Sequence, residues 1–297
     1  MGESANQQTG PERRRRIGES ANPPYPIPNT SWRLLRHGPA TGAANMAIDE
    51  AIGRAVAQGI APPTLRFYGW APPCVSLGKH QALADVDAGR RAALGYDIVR
   101  RPTGGRAILH TDELTYSVVA AADHPVMAGG VLDAYLRLAR GLVAGLQRLG
   151  IPAEAAPGAN RAGAAASAAC FEVPSAYEII VNGRKLLGSA QSRRAGFVLQ
   201  HGSLPLTGDL ARLIDCLTLP EAEADALRRS LAGHAITAEA AAGRPISFAE
   251  AMAALEAGFA AALAIMLVSG ALTEAEQTWA AELARDKYAH PEWTGRP

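Results

Sequence analysis

The sequence predicts an α+β fold built on a mixed, largely antiparallel sheet flanked by helices. Short strand-like runs follow one another from Trp32 onward, and an Asn182-Gly183 turn joins two of them directly. Helical patterns are interleaved with these strands and then gathered towards the C-terminus, the arrangement of α+β chains and not of doubly wound parallel ones. A chain of 297 residues, 48% hydrophobic, can bury the core of one large domain of this kind or of two small ones.

Residues 1–30 are rich in Gly, Ser, Asn, Gln and Pro and read as a disordered tail, with "GESAN" repeated at 2–6 and 18–22 and Arg13–Arg16 solvated. The folded part is expected to span 31–297. "SWRLLRHG" reads as a strand, and "NMAIDEAIGRAVAQG" as a helix turning Met46, Ile48, Ile52 and Val56 to the core and Asp49 and Glu50 to solvent. "TLRFYGW", "CVSLG" and "DIVRR" are expected as strands of one sheet, with "ELTYSVVAA" another. Val131–Leu149 is a helix with Leu132, Tyr135, Leu136, Ala139, Leu142, Val143 and Leu146 on one stripe, ended by Gly150 and Pro152.

"AEAAPGANRAGAAASAAC" is too poor in large side chains to build core and reads as a mobile loop ending at Cys170. "SAYEIIVNGRKLLGSAQ" is a hairpin with Lys185 on the returning strand, and "AGFVLQHGSLPL" supplies one or two further strands. From about residue 209 the chain is expected to be helical. Capping boxes open helices at Ser247–Glu250 and Thr273–Glu276, and the apolar run Ala257–Val268 reads as a buried helix.

Charge and cysteine usage exclude several functions. With Lys+Arg 29 against Asp+Glu 28 the net charge is +1, so no global field recruits nucleic acid or an anionic membrane. Cys74, Cys170 and Cys216 are far apart, without the short spacings of metal ligands, which suits a reducing cytosol; Cys74 and Cys216 sit in strand-like and apolar runs and read as core. The charge-free run Ala257–Val268 is twelve residues, short of a membrane span, and the N-terminal arginines precede a polar, proline-rich stretch and not a signal-peptide core. Neither GxGxxG after a strand nor GxxxxGK[ST] occurs, so the chain carries no dinucleotide or Walker phosphate loop.

The densest chemical signal is "RRPTGGRAILHTDELTYS", Arg100–Ser117. Its Gly104-Gly105 turn allows close backbone approach to a ligand, while Arg101 and Arg106 have forks suited to phosphate or carboxylate. The same residues are compatible with a tight hairpin bearing solvated arginines. His110 is either a general acid or base or an orienting group for the glycine turn. Cys170 and Lys185 read either as a nucleophile with its electrostatic partner or as a packed thiol and a surface charge. His201, in "LQHGSLPL", lines the site or is a strand histidine satisfied by backbone.

"RRPTGGRAILH" together with "NGRKLLGSAQ" resembles the lipoate–protein ligase and octanoyltransferase family, which shares a catalytic fold with biotin–protein ligases. The resemblance runs from about Trp32 to "KYAHPEW" and implies a tunnel for a lipoyl or octanoyl chain, lined by the Gly-Gly turn and the Lys185 strand. ATP-using ligases of the family usually carry a third glycine where this chain has Arg106, and the cysteine-dependent octanoyltransferases place a cysteine in "ACF", matching Cys170. The resemblance therefore implies transfer of octanoyl from acyl carrier protein, through an acyl-Cys170 thioester, to the acceptor lysine of a lipoyl domain or the glycine-cleavage H protein.

In that reading Arg101, Gly104, Gly105 and Arg106 shape the donor site with His110 behind them, and Lys185 stabilises thiolate or oxyanion. Ser189 and Gln191 are expected on one face of the strand with Lys185 and Leu187, by the period of two, and His201 is carried as a further binding residue. Exchange between thioesters is nearly isoenergetic, so the resemblance implies no ATP, cofactor or metal. A monomer is the default. An ATP-dependent lipoate ligase, octanoyl transfer between lipoyl domains, and a non-catalytic carrier-binding protein are the alternatives.

Overall fold

The computed structural model describes residues 31–156, 178–194 and 196–296. The tail 1–30, Cys170 and most of the small-residue segment before it lie outside those residues. The chain opens with β1 (Ser31–Ala40), α1 (Gly42–Ala57), β2 (Thr64–Trp70), β3 (Cys74–Leu77), α2 (Ala88–Ala93), β4 (Asp97–Arg100), β5 (Ile108–His110) and β6 (Glu113–Ala121). Next come α3 (Val131–Arg148), the short β7 (Glu154–Ala155), β8 (Glu178–Val181), β9 (Arg184–Arg194) and β10 (Phe197–Pro205). The rest comprises α4 (Glu221–His234), α5 (Ala238–Ala242), α6 (Phe248–Leu263), β11 (Met266–Ser269), α7 (Glu274–Leu283) and α8 (Pro291–Thr294).

Among the described residues these strands form two sheets, ordered β11-β1-β2-β6-β10-β9-β8-β7 and β4-β3-β5. Among these ladders the parallel ones are β1 with its two neighbours and β3 with β4; the others are antiparallel. The mixed, largely antiparallel α+β architecture is thus present. The expectation that "TLRFYGW", "CVSLG" and "DIVRR" share one sheet is corrected. β2 already has β1 on one side and β6 on the other, so β3 and β4 do not pair with it and build a sheet of their own with β5.

The larger sheet is covered on both faces. α3 and α6 bury one face over Tyr116, Val118 and Val198. These two helices cross closely, because a Cβ on Gly258 would lie 2.3 Å from the Gly145 nitrogen. On the opposite face, α1 packs Ile52 and Val56 with Val119 and Leu199, and α7 packs on α1. Cys74 and Cys216 are buried, as expected, and burial pushes the Cys216 thiol up to about 11.

Two helical expectations need correction. The run Ala257–Val268 is not one helix: α6 ends at Leu263, Ala264 takes a left-handed φ of 51°, and Met266–Ser269 becomes β11 beside the open edge of β1. The part beyond residue 209 is accordingly not wholly helical, and Met266 and Val268 are exposed. On α3, Leu132 and Leu136 are exposed, whereas Leu138, absent from the expected stripe, is buried. Ser247 accepts from the Glu250 N–H and Thr273 from that of Glu276, but only Thr273–Glu276 closes the expected reciprocal box, since the Glu250 carboxylate pairs with Arg244 instead.

Candidate active site

The glycine turn between β4 and β5 is fixed from three directions. Arg101 donates to the Gly104 carbonyl at 2.8 Å, to the Arg106 carbonyl at 2.8 Å and to the Ser76 carbonyl at 2.9 Å. The Lys79 N–H donates to the Thr103 carbonyl at 2.8 Å, and the Thr103 hydroxyl lies 2.6 Å from His201 Nε2. Gly105 holds φ +99°, a region open to glycine, and both Gly104 and Gly105 are exposed. Arg101 is therefore a brace within the wall, buried and spent on backbone oxygens, while Arg106 is half-buried beside the open glycines.

His110 stacks on Trp70 with ring centroids 4.0 Å apart. Its Nδ1 donates to Glu113 Oε1 at 2.7 Å, and its Nε2 meets the Ser76 hydroxyl at 2.7 Å. Glu113 also accepts from the hydroxyls of Thr115 and Ser203. These contacts lock the imidazole in place behind the turn, joining the small sheet to the larger one.

Lys185 is buried, with Nζ 2.6 Å from Glu178 Oε1, in a hairpin whose Asn182 and Gly183 have φ of 50° and 75°. The ladder between β8 and β9 is irregular: Ile179 pairs with Leu187, but Ile180 pairs with Lys185, leaving Leu186 as a bulge. The extra residue flips the strand's alternation. Lys185 faces the side shared by Gly188 and Ser203, and a Cβ built on Gly188 would lie 3.2 Å from Nζ. Leu187, Ser189 and Gln191 face the opposite side. The expected common face of Lys185 with Leu187, Ser189 and Gln191 is therefore corrected. Ser189 instead bonds Tyr116, and Gln191 donates to Gln200, which donates to Tyr116.

His201 is two residues before Ser203 on β10, so it shares the Lys185 side of the sheet. Its Nδ1 lies 3.7 Å from Asp49 Oδ2. Asp49 accepts from Arg66 at 2.7 Å, Ser117 at 2.9 Å and Tyr68 at 3.0 Å. Burial would raise this carboxyl, but Arg66 and His201 outweigh it and hold it below the usual carboxylate range. Burial is also the largest influence on His201, lowering it; Arg101 and His110 act with burial, and Asp49 against it.

The solvated face expected for Asp49 and Glu50 is thus overturned, since both are buried. Glu50 accepts from Lys287 and Tyr288, each at 2.6 Å, anchoring the C-terminal segment to α1. Sequence reasoning missed Thr103, Glu113 and Glu178 and misplaced Asp49. Asn45, Asp49, Ile52 and Val56 do fall on one helical stripe, a signal that Asp49 is inside. Glu178 carries no such local signal, because its approach to Lys185 depends on the bulge.

A buried lysine paired with a carboxylate and a braced, exposed glycine turn thus stand on mixed sheets flanked by helices. The chain belongs to the lipoyl protein ligase A/B catalytic domain family, whose model matches residues 41–260. Octanoyltransferase LipM of Symbiobacterium thermophilum is 48% identical over 274 residues, covering 90% of this chain and 99% of that protein. Octanoyltransferase LipM of Kyrpidia tusciae is 46% identical over 272 residues, covering 90% and 99%. Among solved structures, the bipartite lipoate protein ligase of Thermoplasma acidophilum aligns with TM-score 0.76 at 27% identity, over 90% of this chain and 96% of that one. A lipoate-protein ligase A bound with ATP aligns at 0.74 and 27%, over 90% and 99%.

Proposed function

We propose that this chain is an octanoyltransferase of protein lipoylation, moving octanoyl from acyl carrier protein to the acceptor lysine of a lipoyl domain or the glycine-cleavage H protein. Relatives of that activity match nearly its whole length. The observation that carries the mechanism is the buried Lys185 ammonium, paired with Glu178 and held by the bulge on the side of His201. In this reading Cys170 is the nucleophile. A free thiol near pKa ~8.5 is mostly protonated at neutral pH, and the Lys185 charge favours its thiolate.

The thiolate attacks the donor thioester, the carrier's thiol leaves, and octanoyl-Cys170 forms without ATP. The exposed glycine turn supplies N–H groups for the acyl oxygen, with Arg106 beside it in place of the third glycine usual in ligases. Octanoyl-Cys170 then passes the acyl group to the lysine amine as an amide. The setting is cytoplasmic, where donor and acceptor are both present. Among the described residues no helix is long and apolar enough to cross a membrane.

Intact mass spectrometry after mixing the protein with octanoyl-acyl carrier protein, without ATP, tests this. The expected result is one octanoyl adduct, released by hydroxylamine and lost in Cys170→Ala along with turnover. Product formed only with ATP, Mg²⁺ and free octanoate would make the chain a ligase and overturn the reading.

A further inference from the structure

Arg101 braces the glycine turn from within, whereas Arg100 just before it is buried on oxygens of two other segments. Its Nη1 donates to the carbonyls of Gly78 at 2.9 Å and Gln81 at 2.6 Å, in the loop that follows β3. Its Nε and Nη2 donate to the Thr294 carbonyl, at the end of α8, at 3.0 and 2.7 Å. The contact is reciprocal: the Trp293 indole N–H donates to the Arg100 carbonyl at 2.8 Å, on β4, an edge strand of the small sheet. A guanidinium is planar and its donors point in fixed directions, so one side chain ties residues 78–81 to α8 at a set spacing.

The glycine turn rests on the same loop. The Lys79 N–H donates to the Thr103 carbonyl at 2.8 Å, and Gly78 passes so close to Gly105 that a Cβ on it would overlap the Gly105 carbonyl oxygen. Residues 78–81 therefore have α8 on one side, through Arg100, and the turn on the other. The segment leading into α8 is held on α1, where Glu50 accepts from Lys287 and Tyr288. Beside α8 itself lies a pocket of about 540 Å³, with Thr41, Leu83, Val86, Ile98, Tyr288 and Pro291 in its walls. Packing on that side of α8 is open, and the bonds with Arg100 fix where it sits.

We infer that α8 is a positioning element for the glycine turn: Trp293 and the Thr294 carbonyl hold Arg100, and Arg100 holds residues 78–81 beneath Gly105. This rests on the reading above in which that turn receives the acyl oxygen. Trp293 and Arg100 are positioning residues, acting on the turn only through the loop. Without α8 the Arg100 guanidinium loses its anchor on Thr294, and the loop that seats Gly104 and Gly105 is released on one side. A misplacement of about 1 Å that starts far from the reacting atoms can cost on the order of 10²-fold in rate.

The experiment compares the full chain with a protein ending at Ala289, which keeps Lys287 and Tyr288 on Glu50, and with Trp293→Phe, which keeps an aromatic ring and removes the N–H donor. Amide exchange is read residue by residue by NMR, and octanoyl transfer to a purified lipoyl domain is measured in parallel. In the shortened protein the Lys79 N–H is expected to lose protection roughly 10-fold, the scale of one net hydrogen bond, while the amides of α3 and α6 keep theirs. Transfer should fall on the order of 10²-fold. Trp293→Phe should move both readouts in the same direction by less, and it decides the matter if the shortened protein does not fold.

Unchanged protection at Lys79, or a loss spread equally over α3 and α6, would overturn the positioning role of α8. Lost protection at Lys79 with transfer unchanged would instead overturn the reading of the turn as the acyl site, and with it any part for α8 in the reaction. A full chain that transfers no octanoyl would overturn the proposed function, while the exchange at Lys79 would still decide whether α8 holds the loop.

Discussion

Gly78 is not part of the glycine turn, yet the turn's position depends on its lacking a side chain. A Cβ at this position would sit 1.9 Å from the Gly105 carbonyl oxygen and 2.8 Å from its carbon. Real Cβ atoms essentially never approach a heavy atom within 3.0 Å, so Gly78→Ala requires a displacement of about 1 Å, the difference between 3.0 and 1.9 Å. The Gly78 side is anchored, because its carbonyl accepts from Arg100 at 2.9 Å and Arg100 also holds the carbonyls of Gln81 and Thr294. The exposed turn is therefore the part that moves. Misplacement of about 1 Å can cost on the order of 10²-fold in rate. Because the crowding falls on an exposed turn, its stability cost should lie near the lower end of the roughly 1–3 kcal/mol typical of overpacking. The assay pairs octanoyl transfer to a lipoyl domain with thermal unfolding, using Gly38→Ala as control, since a Cβ there meets nothing within 4 Å. A Gly78→Ala protein that unfolds normally and transfers octanoyl as fast as the Gly38→Ala control would refute the reasoning.

Glu178→Ala removes the carboxylate facing a lysine that is itself 1% exposed, and loss of one partner of a buried pair costs roughly 3–5 kcal/mol. Urea unfolding at neutral pH checks this, and a loss under about 1 kcal/mol, the scale of a surface ion pair, would count against a buried charge. Stability should also fall on acidification in two stages. His37, whose Nδ1 accepts from Arg66, is lowered to about 4 by burial and by that arginine. Its neutral form is favoured by folding, so its contribution is present above about pH 6.5 and lost as pH falls towards 4. Asp49, Glu50 and Glu276 lie below their ordinary values, so their contribution is lost at still lower pH, as they take up protons in the folded state. Unfolding midpoints against pH test the order, and in His37→Asn the slope between pH 6.5 and about 4 should flatten.

What could be read in the sequence was what is decided locally or by a motif. Asn182-Gly183 fixes its hairpin whatever surrounds it, and Thr273 and Glu276 cap their helix from three residues apart. The Arg101 to His110 stretch was legible as a glycine turn flanked by arginines, but not that Arg101 would brace the turn through the carbonyls of Ser76, Gly104 and Arg106. Asp49 was misread because its partners are Arg66 and Ser117, distant in sequence and brought together by β2 and β6. β11 was missed for the same reason: "MLVS" continues an apolar helical run, and only the open edge of β1 makes it a strand.

The bulge at Leu186 shows why a face cannot be assigned by counting. Lys185, Leu186 and Leu187 are all buried, so no polar alternation marks which one is the extra residue. Without the bulge, Lys185 would share a face with Ser189 and Gln191 and point towards α3 and α6. With it, the ammonium joins Glu178, Ser203 and His201 on the side of α1, where Asp49 and the glycine turn also converge. One inserted residue therefore separates a hydroxyl and amide network on the side of α3 and α6 from the charged groups on the side of α1. Deleting Leu186 would move the lysine to the wrong face of an otherwise similar sheet.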